Sequence, residues 1–275
     1  MKEIIFTASP NKEVMKVYPE YSSLHNTFKY IFEQFHYHKS LDLPDIWVRD
    51  FFPFQNRNNH ALHTFFFEPA YQSKKLSLRT RDSVKKYFPN SFDLPVRLDG
   101  GNLIINSKGI AFAFKTRVVF KNNTQNNIER AIKIALNVDD VTWLPYMIGD
   151  KFCHIDGFMQ FLGDNTLMIN DNSYDDYYKN HMEKCIDIIT KKHPWINIVK
   201  IPVKVSDDSM SAKGIYVNYL ETSKIVFVPQ YHLPEDKKVI SIIKSLTTKE
   251  VVGIDCEAIS KYGGSLHCLT SLQIS

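Results

Sequence analysis

The sequence predicts an α/β fold assembled from five similar units, and three observations carry that expectation. Stretches with helical periodicity alternate with short β-rich runs along the chain. The helices start near positions 23, 81, 127, 175 and 234, so successive starts lie 58, 46, 48 and 59 residues apart, close to one fifth of 275. A polar motif follows each helix at a similar phase. Near-regular recurrence of one supersecondary unit is the signature of a radial or stacked repeat.

Each helix rests on an apolar face. The first, 23–35, aligns Leu24, Phe28, Ile31, Phe32 and Phe35. The second, 81–88, is short and carries Val84, Tyr87 and Phe88. The third, 127–137, gathers Ile128, Ala131, Ile132, Ala135 and Leu136 behind an Asn cap. The fourth, 175–192, aligns Tyr178, Met182, Cys185, Ile186 and Ile189, and His193-Pro194 stops it. The fifth opens at Pro234, a good first-turn residue, and shows Val239, Ile242, Ile243 and Leu246. Strands are expected at 4–7, 103–105, 110–114, 166–169, 198–201, 215–219, 225–228 and 251–254, where β-branched and aromatic residues cluster.

Composition excludes several classes. With 44% hydrophobic and 23% charged residues the chain reads as a soluble globular protein, taken here as a single domain over 1–275. A net charge of +4, with both signs interleaved, argues against nucleic acid as a partner. No stretch approaches the ~18 apolar residues of a membrane helix, and the first residues lack a signal peptide's apolar core. Four cysteines (153, 185, 256 and 268) without metal-type spacing suit a reducing, cytoplasmic compartment. Oligomeric state stays open, a homo-oligomer included.

The polar motifs each have a bland reading. A free Cys is most often a small buried hydrophobe. Asp99 before Gly100-Gly101 suits a turn, Asp50 after Trp47-Val48-Arg49 suits a structural ion pair, and a lone His154 suits a satisfied polar group. Their phase changes the weighting. If the units surround an axis, Asp50, Asp99, His154 with Asp156, Tyr216-Val217-Asn218 and Cys268 converge on it, forming one site from residues more than 200 positions apart.

In this order the motifs resemble the agmatine deiminase and bacterial (Porphyromonas-type) peptidylarginine deiminase family of the guanidino-modifying, or pentein, superfamily. Trp47-Val48-Arg49-Asp50-Phe51-Phe52-Pro53 is similar to the family's W-x-R-D-x-G-P, Asp99-Gly100-Gly101-Asn102 to its acidic-G-G-N, and His154-Ile155-Asp156 to its H-x-D. Tyr216-Val217-Asn218-Tyr219 and Val228-Pro229-Gln230-Tyr231 resemble its Y-x-N-F and P-Q-F. Gly253-Ile254-Asp255 and Gly263 through Thr270 match its closing G-I-D and G-G-x-I-H-C-x-T. Three departures stand out: Phe52 and Cys153 replace glycines, and the proline- and tryptophan-containing segment that opens agmatine deiminases has no counterpart in this shorter sequence.

The resemblance implies a fivefold pseudosymmetric α/β propeller of ββαβ units that hydrolyses a small guanidinium. Cys268, His154, Asp156 and Asp50 are its catalytic set, with Asp50, Asp156, Asp99, Trp47 and Asn102 binding substrate. Two carboxylates hold the planar cation bidentately, Cys268 attacks its central carbon, and His154 carries protons. No cofactor or metal is required. Agmatine, yielding N-carbamoylputrescine and ammonia, is the first expectation. Arginine or peptidylarginine deimination and amidino transfer follow, and a catalytically silent binding propeller is the non-enzymatic alternative. Arg49 is expected in internal ion pairs, His267 in a structural role, and Phe51 with Phe52 in a wall that favours a slim substrate.

Overall fold

A computed structural model of the chain describes residues 2–35, 37–69, 71–116, 124–146, 152–171, 175–203 and 210–275. Among them the strands form five three-stranded sheets, and every sheet is built the same way. A short first strand pairs antiparallel with a central strand; the chain then crosses through a helix and returns as a third strand parallel to the central one.

The first such unit is β3 (Phe54–Gln55), β4 (Leu62–Phe66), α4 (Lys74–Tyr87) and β5 (Phe92–Arg97). The second is β6 (Ile104–Ile105), β7 (Ile110–Phe114), α5 (Gln125–Leu136) and β8 (Asp140–Leu144). The third is β9 (Met159–Leu162), β10 (Thr166–Asp171), α6 (Asp176–Lys192) and β11 (Asn197–Pro202). The fourth is β12 (Leu220–Glu221), β13 (Ile225–Gln230), α7 (Glu235–Leu246) and β14 (Glu250–Asp255). The fifth joins the two ends of the chain. β15 (Ser271–Ile274) pairs antiparallel with β1 (Glu3–Ala8), which runs through α1 (Lys12–Val17) and α2 (Tyr21–Phe35) to a parallel β2 (Tyr37–Leu41). Two short helices, α3 (Val48–Phe51) and α8 (Glu257–Ser260), lie outside this pattern.

All five expected helices are present, and starts at 21, 74, 125, 176 and 235 make most intervals more even than the sequence suggests. The largest shift is α4, which begins seven residues early under a Ser73 cap. Its buried face there is Ser77 and Thr80, small polar groups that carry no apolar periodicity. The cap of α5 is Thr124 rather than an asparagine. Phe35 and Tyr87, assigned to apolar faces, are instead exposed. The expected strand at 215–219 is a turn. Its polar atoms are satisfied outside any ladder: Tyr216 Oη donates to Asp236 Oδ1 at 2.5 Å, and Tyr219 Oη to Phe161 O at 2.8 Å.

Two central strands, β7 and β13, are nearly all apolar and almost wholly buried because both faces are covered. The largest cluster of buried side chains gathers Ile5, Phe28, Phe32, Val226, Phe227 and Ile243 from the fourth and fifth units. The end-to-end sheet also carries side-chain ties, since Gln273 Nε2 donates to Pro53 O at 3.1 Å and Ile274 N to Gln55 Oε1 at 2.8 Å. Removing residues 271–275 should therefore lower the melting temperature by at least ~5 °C, as a loss of a few kcal/mol requires in a chain of this size. Calorimetry on the truncated protein checks this; an unchanged midpoint would show that β15 is dispensable.

Candidate active site

Five segments each lie just before the first strand of a unit. They are 47–50 before β3, 99–102 before β6, 154–157 before β9, 216–219 before β12 and 265–270 before β15. A closed circuit of contacts joins them. Asp50 Oδ1 accepts from Gly101 N at 3.0 Å. Asp99 Oδ2 lies 3.4 Å from His154 Nε2. Asn218 Nδ2 donates to Asp156 O at 3.2 Å, and Asn218 Oδ1 accepts from His267 N at 3.0 Å and Cys268 N at 3.3 Å. Arg49 N donates to Cys268 O at 3.1 Å, which closes the ring.

Two glycines make the circuit tight enough. A Cβ on Gly101 would sit 2.7 Å from both Asp50 Oδ1 and His154 Nδ1. A Cβ on Gly264 would enter the indole of Trp47. Neither contact tolerates a side chain.

Cys268, His154, Asp156, Asp50 and Asp99 are thus brought together, each largely out of water. Cys268 Sγ lies 3.7 Å from Asp156 Oδ2 and accepts from Asn218 Nδ2 at 3.2 Å. His154 sits between two carboxylates, with Nδ1 3.5 Å from Asp50 Oδ1 and Nε2 3.4 Å from Asp99 Oδ2. Asp50 Oδ2 also accepts from Tyr71 Oη at 2.6 Å. Asp156 Oδ1 and Asp99 Oδ1 are buried with no hydrogen-bond partner among the described residues.

The other expected residues take structural places. Asn102 spends its amide on β7, donating to Phe114 O at 3.0 Å and accepting from Phe114 N at 2.9 Å. Trp47 packs on Gly264 and donates from Nε1 to Tyr18 Oη at 3.1 Å. The expected Phe51–Phe52 wall is not there. Both rings are 3% exposed and belong to the core, Phe51 against Phe67 and Phe52 between Phe6 and Phe88. An apolar residue beside a site motif reads equally well as wall or core, and packing chose core. Arg49 makes no ion pair within 4 Å among the described residues; its Nε donates to His267 O at 3.4 Å.

Two residues, His267 and Tyr71, escaped the sequence reading as site members, and Asn218 was placed there without a role of its own. His267 Nδ1 donates to Asp156 Oδ2 at 2.6 Å while Nε2 accepts from Gln160 Nε2 at 3.1 Å, which fixes one neutral tautomer. Asn218 was visible only as part of a motif; its amide binds three site residues. Tyr71 lies in no motif, yet its ring contacts Phe152 and His154 and its hydroxyl holds Asp50.

Burial and mutual charge set the protonation states. Burial pushes Asp50 up to about 6, helped by Asp99 and Asp156 and opposed by His154 and Tyr71. Burial works against a charged His154, but Asp50, Asp99 and Asp156 outweigh it and raise the imidazole to about 10. His267 is lowered to about 4, by burial and by Arg49, against the pull of Asp156. Asp156 is held below its usual range because His267, His154 and Arg49 outweigh its burial. Burial, then Asp156 and Asp50, drive the Cys268 thiol well above its ordinary value. The resting site therefore holds a thiol, an imidazolium and carboxylates.

Cys153, which stands where the family pattern has glycine, adopts the left-handed region at φ 52°. That conformation costs a non-glycine residue about 1–2 kcal/mol. Cys153→Gly should raise the melting temperature by a few degrees, roughly 2–4 °C per kcal/mol, measured by calorimetry. His154 supplies a pH prediction. Its raised folded value means that its stabilising contribution is complete below about pH 6.5 and is lost as pH rises towards 10. The melting temperature should fall between pH 7 and 10, and His154→Ala should flatten that decline; an equally steep fall in the variant would refute the assignment.

Comparison with known proteins gives the family and the fold. The model of the Porphyromonas-type peptidyl-arginine deiminase family matches residues 3–273. The agmatine deiminase of Stutzerimonas stutzeri is 22% identical over 209 residues, covering 64% of this chain and 56% of that protein. That of Pseudomonas putida is 24% identical over 210 residues, with the same coverage. The matched segments thus span little more than half of these curated relatives. Among solved structures, the agmatine deiminase of C. jejuni superposes with a TM-score of 0.82 at 18% identity, covering all of this chain and 94% of that one. The DDAH of Pseudomonas aeruginosa superposes with a TM-score of 0.64 at 12% identity, covering 98% of each chain. These likenesses extend to the fold, and the family match runs through every segment of the circuit: the chain belongs to the Porphyromonas-type peptidyl-arginine deiminase family.

Proposed function

We propose that the chain hydrolyses a guanidinium through a covalent intermediate on Cys268. The observation that carries this reading is the pair of buried, unpartnered carboxylate oxygens, Asp156 Oδ1 and Asp99 Oδ1, beside a thiol and an imidazole. Buried acceptors of that kind are costly without a partner. A planar cation with several N–H donors satisfies both. Asp50, whose oxygens already accept from Gly101 and Tyr71, completes the clamp with its remaining lone pairs.

The resting thiol is a poor nucleophile with two aspartates near it. Arrival of the cation offsets them, so substrate binding favours the thiolate. Cys268 Sγ then bonds to the guanidinium carbon, giving a tetrahedral adduct. His154 donates its proton to one nitrogen, the C–N bond breaks, and ammonia leaves. An amidino group remains on sulfur. Water, relieved of a proton by the now neutral His154, adds to that carbon; the C–S bond breaks and a ureido product departs. His267 and Asn218 orient Asp156 and Cys268 without exchanging protons with substrate.

We read the five sheets as blades of one propeller-shaped catalytic domain, because the circuit through the five pre-strand segments closes on itself. A cytoplasmic site suits the cysteine pattern. Agmatine is the leading substrate, supported by the names of relatives 22–24% identical. Peptidylarginine is the second, because the family itself carries that name. A silent binding module would have no use for Cys268, His154 and three buried carboxylates together.

Ammonia release from agmatine, arginine, a peptidylarginine and methylguanidine tests the class and the substrate at once. Acid quench during turnover should trap an adduct on Cys268 by peptide mass mapping. Cys268→Ala should abolish it and lower turnover at least ~10³-fold, with the melting temperature near that of the parent. No ammonia from any guanidine would sink the hydrolase reading; faster release from arginine or the peptide would replace agmatine alone.

A further inference from the structure

A half-open cavity of about 520 Å³ adjoins the candidate site. Asp50, Asp99, His154, Asp156 and Cys268 do not line it. Arg49 and His267 do, and they belong to both places: Arg49 N bonds Cys268 O, and His267 Nδ1 bonds Asp156. The volume falls within the range of small-molecule sites.

Its charge is one-sided. Arg49 and Arg57 are its lining cations, His60 lines it beside them, and no lining residue is an acid. The two terminal nitrogens of Arg49 have no hydrogen-bond or ion-pair partner among the described residues. Asp156 and Asp50 are the acids that act on it, and neither comes within 4 Å. Arg57 donates to the carbonyl oxygens of Asn137 and Ser107, which engage two of its N–H donors and leave its charge uncancelled. Asp164, near the rim, is engaged by the Ser107 hydroxyl. Phe54, Leu103, Ile105 and Leu272 give it an apolar stretch among polar side chains such as Gln55, Asn106 and Gln160. A largely buried guanidinium is normally paired, and its rigid fork matches an oxyanion.

We propose that this cavity binds a small organic anion, its carboxylate or phosphate on the Arg49 fork and its apolar body along the aliphatic lining, and that occupancy slows the chemistry of Cys268. The sign of the coupling follows from charge. Arg49 is the cation that acts on both Asp156 and Cys268, and its own main chain is bonded to Cys268. An anion on its fork cancels the field that favours a thiolate. This site stands apart from the proposed hydrolysis, and the test does not require it.

The test titrates the whole protein with hexanoate, inorganic phosphate and hexylammonium at constant ionic strength. Binding is followed by calorimetry, and Cys268 alkylation by iodoacetamide is followed by peptide mass mapping. Hexanoate should bind at about millimolar concentration or tighter, phosphate several-fold more weakly, and hexylammonium not at all. Saturating hexanoate should slow alkylation of Cys268 at least threefold relative to the ligand-free protein. Arg57→Ala combined with His60→Asp should weaken hexanoate at least tenfold. Position 60 has φ 60°, which Asp tolerates, so this variant remains informative if Arg49→Met does not fold. Four results would each overturn the proposal: no hexanoate binding up to about 20 mM, equal binding of the amine, undiminished binding in the double variant, or alkylation unchanged at saturation. Phosphate binding as tight as hexanoate would overturn the organic part and leave a bare oxyanion site.

Discussion

Everything near Cys268 is arranged around one electrostatic problem: three carboxylates and a thiol share a largely buried volume. Asp50, Asp156 and Cys268 are each less than a tenth exposed. Carboxylates so placed repel one another, and desolvation penalises each charge separately. The molecule answers with His154, held between Asp50 and Asp99, and with Arg49, whose guanidinium acts on Asp50 and Asp156. His267 helps differently. It stays neutral and gives Asp156 a hydrogen bond of 2.6 Å, stabilising an anion without adding a cation.

That solution depends on placing groups from five distant parts of the chain to within tenths of an ångström. The repeated ββαβ unit supplies the placement. In each unit the buried central strand is pinned on one side by a parallel partner and on the other by a short antiparallel strand. The segment that enters that short strand is the one that carries a site residue. Main-chain bonds such as Arg49 N to Cys268 O, and the amide of Asn218 shared by His267 and Cys268, then lock neighbouring segments. Gly101 shows how little slack remains, since a single methyl group would displace both Asp50 and His154. Pairing β15 with β1 completes the fifth unit from opposite ends of the chain, so the segment bearing Cys268 is held as firmly as the others.

Much of this was legible in the sequence, because the strongest signals are local. Helical periodicity located all five long helices, and the phase of the polar motifs marked the five segments that the contact circuit joins. What failed has physical reasons. The first half of α4 buries Ser77 and Thr80, which read as surface. The run at 215–219 looks like a strand by composition, but Tyr216, Asn218 and Tyr219 spend their polar atoms on distant partners. Phe52 sits beside Asp50 in sequence and packs away from it between Phe6 and Phe88, because successive residues around a short helix face different ways. Tyr71 belongs to no motif, and only three-dimensional proximity reveals its bond to Asp50. Asn102 and Asp99 are three positions apart in one motif, yet one serves β7 and the other faces His154.

The protonation pattern links this architecture to the proposed chemistry. Counted formally, with three carboxylates, an imidazolium, the Arg49 guanidinium and Cys268 as a thiol, the resting cluster carries a net charge of −1. A guanidinium that enters brings the cluster to zero. Ionising the thiol, with its proton passed to solvent, returns it to −1, the charge the empty site already sustains. The thiolate that is strongly disfavoured in the resting protein therefore becomes electrostatically equivalent to the resting state once the cation is bound. Nucleophile and substrate are coupled by charge rather than by a movement of the chain. The same count explains the placing of Arg49. Without its charge the resting cluster would sit at −2, Asp50 would hold its proton more firmly than the value of about 6 implies, and one arm of the cation clamp would be neutral at working pH.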